Sequence, residues 1–163
     1  MRKQKYSGFI YGEGSGDKNF IVRLFEIPKF KFHTEKNWTF NYGNASGSSV
    51  ETVLFKCRKA ILNRSYDLIL CFIDVDKLKQ DFGKKWFIEQ KKLEKKYSDI
   101  YIIWQYDNAE DEYKKALSED SKGKRKINKL AKEKINKFIN SEFWNRILKP
   151  IKNKEIELKK LNI

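Results

Sequence analysis

The chain has 163 residues, of which 36 are Lys or Arg and 22 are Asp or Glu, a formal net charge of +14. That length suits one domain with a short appendage, and 40% hydrophobic and 15% aromatic residues exclude a disordered chain. No run approaches the roughly 18 apolar residues of a membrane span, and no signal-peptide pattern opens the sequence; one histidine, His33, and two cysteines, Cys57 and Cys71, exclude a structural zinc site.

In chain order, Tyr6–Gly12 reads as a short apolar strand ending in the glycine-rich turn Glu13-Gly14-Ser15-Gly16-Asp17. Phe20, Ile21, Leu24 and Phe25 then recur at helical spacing over residues 18–26, stopped by Pro28. Trp38–Tyr42 predicts a second strand, followed by the small-residue loop 43–49. Ser48 and Glu51 have capping-box spacing at the start of a helix carrying Val50, Leu54, Cys57, Ile61 and Leu62. Leu68–Ile73 is six apolar residues without polar alternation, the pattern of a strand buried on both faces. Cys71 inside it reads as an inert core thiol.

Asp74-Val75-Asp76 follows directly, then a helix is expected from about Asp81 to Tyr97 and a fourth strand over Ile100–Trp104. The alternation predicts an α/β fold, a four-stranded, mostly parallel sheet flanked by helices. Residues 1–120 form that domain, and residues 121–163 a basic helical extension packed on it. Within the extension, apolar residues from Ile127 to Leu148 recur every three or four positions, and Pro150 is expected to end the helix. Trp144 and its neighbours sit at core spacing. The tail after Pro150 reads equally as a short strand or a last helix.

The charge is uneven. Residues 1–120 hold 22 basic and 18 acidic side chains, whereas residues 121–163 hold 14 and 4. Such a field attracts polyanions, nucleic acid or an anionic membrane surface, although lysine-rich helices are also commonly just solvated faces. Candidate backbone contacts are Lys18, Lys122, Lys124, Arg125, Lys126, Lys129 and Lys132. Two cysteines without metal or redox spacing suit reduced thiols in a cytoplasmic protein.

In an open parallel sheet, ligands bind beyond the carboxyl ends of the strands. Glu13 follows the first strand, and Asp74 and Asp76 follow the third. In an extended segment, positions i and i+2 point the same way, so both aspartates would face one site. Three carboxylates without His or Cys form a hard oxygen donor set suited to Mg²⁺ or Mn²⁺. Each acid also has a plain alternative: a polar strand end for Asp74 and Asp76, a helix-start acid for Glu13 or Asp17. The glycine-rich turn lacks phosphate-loop spacing, which argues against a nucleoside triphosphatase.

Glu13-Gly14-Ser15-Gly16-Asp17 after a first strand, with Asp74-Val75-Asp76 about sixty residues later, resembles the E-G-x-x-D and D-x-D motifs of the Toprim family. The resemblance covers roughly residues 5–110. It implies a Rossmann-like Toprim fold and Mg²⁺-dependent phosphodiester chemistry, a nuclease or related enzyme acting on DNA or RNA. Glu13 would be a general acid or base, and Asp74 and Asp76 would hold metal, with Asp17 and Glu112 as further candidates. The chain departs from the family in having Lys77-Leu78-Lys79 where a glycine often follows D-x-D. The Asp107-Asn108-Ala109-Glu110-Asp111-Glu112 segment looks more like small stand-alone Toprim proteins, RloB-like or similar to overcoming-lysogenization-defect nucleases, some of them associated with phage defence. Glu110 or Glu112 would then be the extra ligand, a charged helix start being the alternative. The competing reading is a non-catalytic nucleic-acid-binding Toprim module in a recombination, repair or defence complex.

Overall fold

Six apolar residues in a row need cover on both sides, and Leu68–Asp74 (β3) receives it as an interior strand. The computed structural model describes residues 5–30, 37–47, 49–119 and 123–161; His33, Ser48 and Lys122 lie outside them. Tyr6–Gly12 (β1), Trp38–Asn44 (β2) and Tyr101–Gln105 (β4) complete a sheet of order β2-β1-β3-β4. All three pairings are parallel, so the fold is α/β with a four-stranded parallel sheet.

Alternation along the strands divides the core in two. On one face, Ile10, Leu70, Phe72 and Ile103 pack under Ser15–Phe25 (α1), Ala109–Leu117 (α5), Lys124–Glu133 (α6) and Glu142–Leu161 (α7). On the other, Tyr11, Cys71, Ile73 and Ile102 pack under Val50–Ala60 (α2), Val75–Phe82 (α3) and Trp86–Lys96 (α4). The helix after β1 and the helix after β3 thus lie on opposite faces. That divergence opens a crevice at the carboxyl ends of β1 and β3, where doubly wound sheets place their ligands.

Two predicted helices are broken and one is longer than expected. The stretch expected as a helix from about Asp81 divides at Gly83, whose φ of 53° leaves the helical region, into α3, a short 3₁₀ turn and α4. The 127–148 pattern divides into α6, a 3₁₀ turn at Ile135–Phe138 and α7, with Asn140 left-handed at φ 66°. Pro150 does not end the last helix, which runs through it to Leu161. An interior proline removes one backbone hydrogen bond. The burial of Phe143, Trp144, Ile147, Leu148 and Ile151 offsets that loss, and Trp38 Nε1 donates to Glu155 Oε1 at 2.7 Å on the far side. The aromatic residues of the extension are packing groups: Trp144 meets Phe30 edge-on at 4.5 Å between ring centroids.

The capping residue of α2 is Ser49, whose hydroxyl accepts from Thr52 N–H at 3.4 Å. Ser49→Ala should lower unfolding free energy by about 1 kcal/mol without changing the denaturant m-value, read by urea titration; no change would mean that the cap is idle. No helix among the described residues is long and apolar enough to cross a membrane.

Candidate active site

Glu13 is the first residue after β1 and is 5% exposed. Its Oε1 accepts the Asp74 backbone N–H at 2.9 Å, and its Oε2 lies 3.2 Å from Lys77 Nζ. The loop after β2 closes on it, with Ala45 N–H donating to Gly12 O at 3.0 Å and Gly47 N–H to Glu13 O at 3.2 Å. Glu13 therefore fastens the ends of β1 and β3 together while keeping a carboxylate in the crevice.

Asp17, in the first turn of α1, and Asp74, at the end of β3, face the same crevice. Burial, reinforced by the charges of Glu13, Asp17 and Glu110 and only partly offset by Lys77, pushes the Asp74 carboxyl up to about 8. Burial with the charges of Glu13 and Glu110 raises Asp17 to about 6, against a backbone hydrogen bond from Gly14 and the charge of Lys124. Tyr113, buried beneath them, is pushed far up by burial and by Asp17, Glu110 and Asp74. Glu13, Asp17, Asp74 and Glu110 thus form one electrostatic cluster, and Asp74 Oδ1 is buried with no hydrogen-bond partner among the described residues. A cluster with raised carboxyls and an orphan oxygen accommodates either protons or a cation.

Asp76 is placed differently from the extended reading of D-x-D. The backbone turns helical at Val75, so Asp74 and Asp76 are not alternate residues of one extended segment. Asp76 instead accepts from Asn108 Nδ2 at 2.9 Å, while its N–H donates to Asp107 O at 2.9 Å, which pins the loop after β4 to the start of α3. Glu112 is also turned away from the cluster. It is 3% exposed, ion-paired with Arg146 of α7, and accepts the Tyr106 N–H at 3.0 Å. Two residues along a helix point to different sides, and Glu110 is the one directed at Asp17 and Asp74. The expectation that named Glu112 among the further metal candidates is thus corrected in favour of its alternative, Glu110; Asn108 decides between them, capping α5 by accepting from Asp111 N–H at 2.9 Å and so setting its rotation.

The basic extension reaches this acidic site. Lys124 Nζ lies 3.8 Å from Glu110 Oε1, and Asn128 Nδ2 donates to the same oxygen at 3.3 Å. Lys124, Arg125, Lys126 and Lys129 are exposed around α6, and Lys132 and Lys18 are half-buried. Lys124 is therefore the basic residue through which the extension meets the carboxylate cluster.

The donor set is all oxygen, which suits Mg²⁺ or Mn²⁺. Asp74, with its orphan oxygen, and its neighbours Asp17 and Glu110 are the residues that would hold such an ion, Glu13 lying behind them. Among the described residues, however, no group of three or more Asp, Glu, His or Cys side chains is placed to hold a metal ion as the side chains stand. Comparison with protein-family models, with curated proteins and with solved structures returns no match to this chain.

Proposed function

We propose that the protein is a divalent-cation-dependent nuclease, or a related phosphodiester-transfer enzyme, acting on DNA or RNA. The observation that carries this reading is the buried carboxylate cluster with the unpartnered Asp74 oxygen at the ends of β1 and β3, with Lys124 of the basic helix beside Glu110. The order of Glu13-Gly14-Ser15-Gly16-Asp17 and Asp74-Val75-Asp76 on the ends of β1 and β3 supports a Toprim-like assignment. When bound, Mg²⁺ or Mn²⁺ supplies charge neutralisation and a more acidic water. Asp74, Asp17 and Glu110 hold the cation side of the site; Glu13 orients the Asp74 backbone and shares its second oxygen with Lys77. The lysines of α6 hold the phosphate backbone without reading sequence.

Labelled single- and double-stranded DNA and RNA, incubated with Mg²⁺, Mn²⁺ or EDTA, test this. Products are expected only with metal. They should fall at least a hundredfold in Asp74→Asn, with nucleic-acid affinity held within about threefold. Cleavage in EDTA, or undiminished cleavage by the Glu13→Gln, Asp74→Asn double variant, overturns the reading.

A second reading, a binding module that does not cut, is favoured by two observations: Lys77 already neutralises Glu13, and Asp76 is engaged by Asn108. Salt-sensitive binding with no metal-dependent product would support it. Loss of one phosphate contact, as in Lys129→Gln, should reduce the slope of log K against log salt by about 1.

A further inference from the structure

We propose that Gln105 is a further binding residue of the Asp74 site, its carboxamide hydrogen-bonding the water shell of the divalent cation held there. The proposal rests on the reading of the carboxylate cluster as a cation site and adds a residue to it. Gln105 is the last residue of β4 and stands in register with Asp74, the last residue of β3. Along these strands Leu70, Phe72 and Ile103 enter one core and Cys71, Ile73, Ile102 and Trp104 the other. By that alternation Asp74 and Gln105 leave the sheet on the same face as immediate neighbours, about 4.8 Å apart across parallel strands.

The polar accounting there is unusual. Four buried side-chain polar atoms have no partner among the described residues: Asp74 Oδ1, Gln105 Oε1, Gln105 Nε2 and Arg146 Nε. Three of the four belong to this one adjacent pair. Gln105 is 1% exposed, so solvent does not satisfy it. Most nearby hydrogen-bonding groups are engaged elsewhere: Arg146 Nη1 donates to Trp104 O at 2.8 Å, its Nη2 pairs with Glu112, and Tyr106 N–H donates to Glu112, while Arg146 Nε, itself unpartnered, makes no bond to Gln105. Buried amides nearly always find partners, and exceptions call for a specific reason.

A ligand of the right chemistry supplies that reason. A carboxamide both accepts through Oε1 and donates through Nε2. Beside a carboxylate that would take a hard cation, it can accept from a metal-bound water and donate to a phosphoryl oxygen without adding negative charge to an already crowded cluster. Mg²⁺ keeps several of its waters when bound to protein, so outer positions of this kind are part of its site. Outer-shell partners of a metal typically carry a 10–100-fold share of its affinity.

The test uses calorimetric Mn²⁺ titration and thermal melting of the wild-type chain, Gln105→Leu, Gln105→Met, Gln105→Asn and Asp74→Asn. The two apolar variants remove the unpartnered amide, and should melt a few degrees higher without metal and bind Mn²⁺ at least tenfold more weakly. Gln105→Asn, which keeps the amide, should retain more affinity than either; Met keeps the test open should Leu pack poorly. Mn²⁺ binding that is lost in Asp74→Asn but unchanged in the apolar variants overturns the role of Gln105 alone. Absence of Mn²⁺ binding by the wild-type chain overturns both this role and the reading of the carboxylate cluster.

Discussion

Asp74→Asn should make the metal-free protein more stable at pH 8, by about 2–4 kcal/mol, while changing little at pH 4. The sign follows from proton binding. Asp74 is raised from an ordinary 3.8 to about 8 in the folded chain, and Asp17 to about 6. Between pH 4 and pH 8 the folded state therefore holds protons that the unfolded state has released, so stability falls as pH rises through that window. Asparagine at position 74 carries no charge to confine, so the variant should lose most of this slope and keep only the smaller part due to Asp17. The magnitude is set below the full 1.4 kcal/mol per unit because Asp74 is only partly buried and its neighbours relax. A cation held by the same carboxylates should act in the opposite sense. Mg²⁺ at ten times its Kd should stabilise the wild-type chain at pH 8 by about 1.4 kcal/mol and leave Asp74→Asn unmoved. Urea unfolding at pH 4, 6 and 8, with and without Mg²⁺, reads both effects. Stability that climbs from pH 5 to pH 8 in the metal-free wild type would refute the crowded-carboxylate account.

The parts of this molecule legible in its sequence are those governed by burial over a whole segment. Leu68–Ile73 declares an interior strand because no polar residue interrupts it, and Phe20, Leu24, Val50 and Leu54 mark helix faces by spacing. Glu13 and Asp74 were findable because each directly follows such a strand. Features set by one residue's backbone were not. Helix begins at Val75 without a cap-forming side chain on Asp74, which carries Asp76 away from its partner. Glu110 rather than Glu112 faces the cluster because Asn108 fixes where α5 begins. Gln105 carries no charge and ends a strand, so its sequence context is that of any turn; only the register with Asp74 and the missing partners single it out. Pro150 misleads in the opposite direction, since its usual helix-ending effect is outweighed by tertiary burial around Trp144 and Ile147.

The second large effect lies beside the site, in the ion pair that locks the extension to the sheet domain. Arg146→Met should lower unfolding free energy by about 2–4 kcal/mol, because it leaves Glu112 as an uncompensated carboxylate only 3% exposed. Burial already raises Glu112, and Arg146 is the foremost influence holding it down. Removing the guanidinium also frees the Trp104 carbonyl, which Arg146 Nη1 binds at 2.8 Å. Arg146 itself is 25% exposed, which places the cost toward the lower part of the range for broken buried pairs. Glu112→Gln in the Arg146→Met background should then recover more than half of the loss. The amide stays bonded to Tyr106 N–H through its oxygen and carries no charge to strand. That recovery separates the stranding of the Glu112 charge from the lost contact of the guanidinium with the Phe143 and Tyr106 rings, which the second substitution does not repair. Equilibrium denaturation of the two single variants and the double variant closes the cycle. A double variant as unstable as the sum of its parts would mean that Arg146 acts through its other contacts and not through Glu112. A coupling of 1 kcal/mol or more would make this pair the fastening that holds α5 and α7 against the end of β4, and so holds Glu110 and Gln105 in place around Asp74.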